Sequence, residues 1–135
     1  MATELELRMP LADDDIRRAI QHHWEAADAG DQEGVHEIYS EDVVVEWPQS
    51  GERVPGRANI KALRENHPSV LGFKPRRILG GGDLWLTEYV ITYDGRPVHA
   101  VSIMEFRDGK VARETIYFAD PFVPPEWRAR WVERM

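Results

Sequence analysis

The sequence predicts an α+β domain in which helices come first and an antiparallel meander of strands follows. Two patterns carry this expectation. Ile16, Ile20, His23, Trp24 and Ala27 recur at helical spacing and share one face. The second half instead holds four strand-like runs, 75–79, 84–93, 98–106 and 110–119. They are separated by Gly80-Gly81-Gly82-Asp83, Asp94-Gly95 and Asp108-Gly109, and Asp-Gly is a strong hairpin signal because it tolerates the positive φ that tight turns need.

Taken in order, residues 1–12 read as a flexible N-terminal arm, broken by Pro10, and 13–135 as one domain. Asp13, Asp14 and Asp15 offer N-caps and favourable charge for a first helix, which Gly30 ends. Asp31 caps a second, shorter helix through Val35, Ile38 and Tyr39. The β-branched run from Val43 to Trp47 predicts a strand, and Val54 a short return strand after a loop. A third helix runs from Arg57 to Asn66 and closes at His67-Pro68. The glycine run 80–82 predicts a wide hairpin, since no Lys-Ser/Thr and helix follow to make it a phosphate loop. A last helix is expected over 126–134, with Trp127 and Trp131 one turn apart. A strongly curved sheet wrapped by the N-terminal helices leaves a pocket between them.

Composition narrows the function classes. A net charge of −7, without a Lys/Arg-rich face, disfavours nucleic acid. No cysteine is present, so disulfides and thiol nucleophiles are excluded. The start of the chain lacks the basic and apolar regions of a signal peptide, and no apolar run approaches membrane-spanning length. A cytoplasmic protein without membrane association is the expectation. None of the five histidines has metal-ligand spacing with a matched carboxylate, so neither a metal nor another cofactor is expected.

Polar groups in the strand runs mark the candidate site, because a buried carboxylate must find a partner, shift its pKa or do chemistry. Glu114 alternates onto one face with Ala112, Ile116 and Phe118. It either lines the cavity as an acid or base, or pairs with Arg76 or Arg77. His23 lies on the inward helix face, either as a proton carrier or as a core histidine bonded to a carbonyl. Asp120 ends the last run, as a base or as the cap of the Asp120-Pro121 turn. Trp47, Tyr89, Ile91, Met104 and Phe118 are expected as apolar walls suited to a flat hydrophobic ligand, or as plain core, with Ser102 beside them. His99, Glu88 and Glu105 fall on the opposite sheet face.

The stretches EAADAGDQEGVHEIYSEDVVVEWP (25–48), GRANI (56–60), MEFRDGKVARETIYFADPF (104–122) and PPEWRARWVE (124–133) resemble the nuclear-transport-factor-2-like superfamily, in its SnoaL-like, polyketide cyclase-like branch. The resemblance covers nearly the whole chain. It implies a cone-shaped sheet around a deep pocket and a homodimer through the sheet face. Ketosteroid isomerases of this superfamily carry a tyrosine donor, an aspartate base and an acidic oxyanion donor where this chain has His23, Trp47 and Ser102, so that chemistry is not implied here. SnoaL-like cyclases place an aspartate base near the end of the last strand, where Asp120 stands, in a segment one residue longer than the common pattern. The function implied is cofactor-independent acid/base chemistry (cyclase, isomerase or dehydratase type) on a small hydrophobic carbonyl compound, with a non-catalytic binding or dimeric assembly domain as the alternative.

Overall fold

In a computed structural model, which describes residues 12–135, three helices lie on one face of a six-stranded, curved and unclosed sheet. The expected arm, Ala12 apart, lies outside the described residues. Helix α1 spans Asp13–Ala29, α2 Gln32–His36 and α3 Arg57–Glu65. The strands are β1 Tyr39–Trp47, β2 Glu52–Pro55, β3 Leu71–Gly81, β4 Leu84–Tyr93, β5 Arg96–Arg107 and β6 Lys110–Ala119. The fold class is the one the sequence predicts.

Local chemistry accounts for most boundaries. Gly30 adopts φ 73° and Asp31 N–H reaches the carbonyl of Ala26 at 2.9 Å, which closes α1. Ala12, not an aspartate, precedes α1, and no side chain caps it. The three aspartates sit inside the first turn, where they complement the helix dipole. Asp13 Oδ1 also accepts from Gly82 N–H at 3.0 Å, tying α1 to the β3–β4 turn. Asp31 does cap α2 through Gly34 N–H at 3.1 Å. The two Asp-Gly turns carry positive φ at both positions, the geometry of two-residue hairpins.

Three elements differ from expectation. Helix α2 stops at His36, and β1 begins at Tyr39 because that residue already pairs with Val111 of β6. The glycine run makes a tight turn at Gly82-Asp83 rather than a wide hairpin, with β3 extending to Gly81. The last helix is a 3-10 helix at Glu126–Trp131, shorter than predicted. Pro75 is tolerated within β3 because β3 is an edge strand with a register shift there.

The sheet order is β2-β1-β6-β5-β4-β3. All neighbours are antiparallel except β1 and β6, which run parallel, so the meander of β3–β6 gains two further strands at its β6 edge. Alternation sends Trp85, Tyr89, Ala100, Met104 and Ile116 inward against Ile16, Ile20 and Trp24 of α1. The indole N–H of Trp24 reaches Thr87 Oγ1 at 3.1 Å, and its ring stacks on Tyr89 at 4.3 Å. His99, as expected from parity, is exposed.

Gly80 shows how tightly β3 meets β4. It has φ 154°, and a Cβ there would stand 2.5 Å from the Leu84 carbonyl oxygen and 2.8 Å from Trp85 Cα. Backbone cannot yield as a side-chain tip can. Gly80→Ala is therefore expected to cost about 2–4 kcal/mol in urea unfolding, with an unchanged m-value.

Candidate functional site

A cavity of about 730 Å³ lies between the three helices and the inner face of the sheet. Its walls are largely apolar and aromatic, including Trp24, Trp47, Phe73, Tyr89, Ile91 and Phe118. Gln49 fixes one side: its amide exchanges two hydrogen bonds with the backbone of Phe118, each 2.5 Å. His23 and Arg64 give the cavity a polar side.

Behind these two residues lies a buried ionic network. Glu114 projects inward from β6 and is 0 % exposed. Ser102 Oγ donates to its Oε2 at 2.5 Å, and the Tyr39 hydroxyl donates to its Oε1. Arg64 Nη2 stands 3.6 Å from the same Oε1. Arg64 Nη1 donates to the Tyr39 hydroxyl at 2.9 Å and to His36 Nε2 at 3.3 Å. A buried carboxylate is tolerated because a cation and two hydroxyls satisfy it. Burial, reinforced by the charge of Glu114, raises the Tyr39 hydroxyl well above the usual tyrosine range, so it stays a donor.

The tautomers of both buried histidines follow from their partners. A carbonyl oxygen only accepts, so His23 Nδ1–H donates to Val35 O at 2.8 Å. A guanidinium only donates, so His36 Nε2 accepts from Arg64 while its Nδ1–H donates to Gln32 O at 2.6 Å. His23 Nε2 is then an unprotonated acceptor, and no group among the described residues donates to it. Burial lowers the His23 pKa from 6.5 to about 4, against the opposing pull of Glu114. The ring is neutral at pH 7.

The candidates from the sequence divide into three groups. His23, Trp47, Tyr89, Ile91 and Phe118 line the cavity. Glu114, Ser102 and Met104 are buried and inward-facing but lie behind its wall. Asp120 follows the end of β6, is largely exposed, and pairs with Arg96 at 3.0 Å. The expected partners of Glu114, Arg76 and Arg77, instead approach Glu88 at 3.8 and 3.3 Å, since their neighbour across the sheet is that residue. Sequence reasoning missed Arg64 and Tyr39. The spacing of Arg64 from Ile60, four residues, was the available signal: it puts a cation on the buried stripe of α3.

The SnoaL-like domain family matches residues 20–114. The chain belongs to this family. No curated protein matches it. Among solved structures, this SnoaL-like chain is 52% identical to an NTF-2 like protein of unknown function from Burkholderia xenovorans, with TM-score 0.85, covering 92% of this chain and 98% of that one. A putative ketosteroid isomerase from Kribbella flavida is 26% identical, with TM-score 0.83 over 92% of this chain and 93% of its own. A putative polyketide cyclase from Sinorhizobium meliloti shares the fold at 22% identity, with TM-score 0.65 over 79% of this chain and 100% of its own. No helix among the described residues is long and apolar enough to cross a membrane.

Proposed function

We propose that this SnoaL-like protein is a cofactor-independent enzyme that moves a proton on a small, largely apolar carbonyl compound. The observation that carries the proposal is a neutral histidine with an unprotonated Nε2, lining an aromatic-walled cavity that a guanidinium also lines. In this reading His23 Nε2 accepts the proton α to the carbonyl. Arg64 holds the oxygen on which negative charge develops. The imidazolium then returns the proton to another carbon, which is isomerisation; or the carbanion attacks a second carbonyl carbon of the same molecule and the proton goes to the alkoxide so formed, which is ring closure; or the carbanion expels a β-hydroxyl, which takes the proton and leaves as water. Glu114 does not touch the substrate. It holds Arg64 in place, and its charge favours the imidazolium that forms on His23.

This assignment differs from an aspartate or glutamate base. Asp120 is not among the residues lining the cavity, and both Glu114 oxygens already accept hydrogen bonds. The complete pairing of Glu114 also favours a second reading, in which the same cavity binds a ligand without turnover.

Proton exchange separates the two. Cyclic and aromatic ketones are incubated with the protein in D₂O, and loss of the α-proton signal is followed by NMR. The enzyme reading predicts catalysed exchange for at least one compound. It also predicts that His23→Gln, which keeps a donor for Val35, slows exchange by about 10²–10⁴-fold. A ligand that binds tightly and keeps its α-protons supports the second reading. Exchange unchanged in His23→Gln removes His23 from the mechanism.

A further inference from the structure

Beyond β6 the chain runs through residues 120–125 without regular structure, forms the 3-10 helix, and continues without regular structure over 132–135. This C-terminal arm presents Phe122, Trp127 and Trp131, which are 77, 75 and 68% exposed. Pro121, Pro124 and Pro125 stiffen its first part. Among the described residues, the 3-10 helix makes no substantial packing contact with another helix or with a strand. The ring contacts it has are its own: Arg128 stands 6.0 Å from the Phe122 ring and Arg130 4.7 Å from the Trp131 ring. Three large exposed aromatics that pack on no helix or strand among the described residues form an unpartnered surface.

A second such surface lies on the outer face of the sheet, which no helix among the described residues covers. Leu79, Leu86 and Ile103 stand in register across β3, β4 and β5, and Val101 faces Tyr117 across β5 and β6. Leu79 and Tyr117, at the two sides of this patch, are nearly half exposed.

We propose that the C-terminal arm of one copy lies across the outer sheet face of a second copy, and that the exchange is reciprocal. Area favours a second copy over a foreign partner. At 150–250 Å² per aromatic side chain, the three rings of one arm expose roughly 400 Å². Covering both arms against equal areas buries on the order of 1,600 Å², the size of a stable specific interface. A single arm on a foreign protein buries half of that, below the usual range. A two-fold axis supplies both arms at once. The resemblance noted above implies a sheet-face dimer; the arm as its anchor is a separate claim.

Sedimentation equilibrium of the full chain and of Trp127→Ser/Trp131→Ser tests it. The expected result is a wild-type dimer whose dissociation constant rises about 30-fold or more for each tryptophan removed, with the far-UV CD spectrum unchanged. Because the chain has no cysteine, a copy with Ala129→Cys, which keeps both tryptophans, can be mixed with a copy with Tyr117→Cys and treated with a short bismaleimide. Cross-linking in the mixture, and not within either variant alone, is expected. A wild-type monomer at tens of micromolar overturns the proposal. So does a dimer indifferent to both tryptophans, or a mixture that fails to cross-link.

Discussion

Glu114→Leu is expected to destabilise the fold by about 3–5 kcal/mol, the cost of leaving one member of a buried ion pair without its partner. Three groups meet at this carboxylate. Removing it strands the Arg64 guanidinium inside the domain and takes the acceptor from both the Tyr39 and Ser102 hydroxyls. Arg64→Leu should cost a comparable amount for the mirror reason, because Glu114 is wholly buried and keeps only its two hydroxyl donors. The double variant is the informative one. With neither charge present there is nothing to desolvate, so its loss should fall well short of the sum of the two single losses. Urea unfolding of the four proteins in the cycle checks this. Strict additivity would mean that the two side chains do not act as a pair.

The second large effect is a loss of stability in mild acid. The folded-state pKa of His23 lies near 4, below its ordinary 6.5, so the unfolded chain binds the proton more tightly than the native one. Above about pH 6.5 both states are neutral and the term vanishes. As pH falls from there toward 4, unfolding is progressively favoured, by about 3 kcal/mol in all. Burial lowers the His36 pKa as well, so it adds to the same slope. His23→Gln should flatten the fall in stability between pH 6.5 and 4 and leave the smaller His36 part. An acid limb of equal steepness in wild type and variant would contradict the assignment.

Features that depend on a few neighbouring residues were legible in the sequence. Asp94-Gly95 and Asp108-Gly109 set two hairpins through local φ preference, and Gly30 ended α1 for the same reason. Period-two alternation put Tyr89, Ile91 and Phe118 on the inner face, and helical spacing did so for His23. What depended on long-range partners was not legible. No turn signal says that β1 docks parallel to β6, and that pairing is what draws Tyr39 out of α2 and into the sheet. The burial of Glu114 followed from its neighbours in the strand, but its cation comes from a helix 50 residues earlier, whereas Arg76 and Arg77 lie on β3, separated from β6 by two strands, and face Glu88. Asp120 falls just past the end of β6, where alternation no longer decides where a side chain goes.

The protonation state of His23 is the point on which the functional account rests, and ¹⁵N NMR of histidine-labelled protein reads it directly. The account predicts a neutral ring at pH 7 with the proton on Nδ1, titrating near pH 4, and an Nε2 resonance that moves when a carbonyl ligand enters the cavity. A ring that carries its proton on Nε2, or that titrates near 6.5, would contradict it.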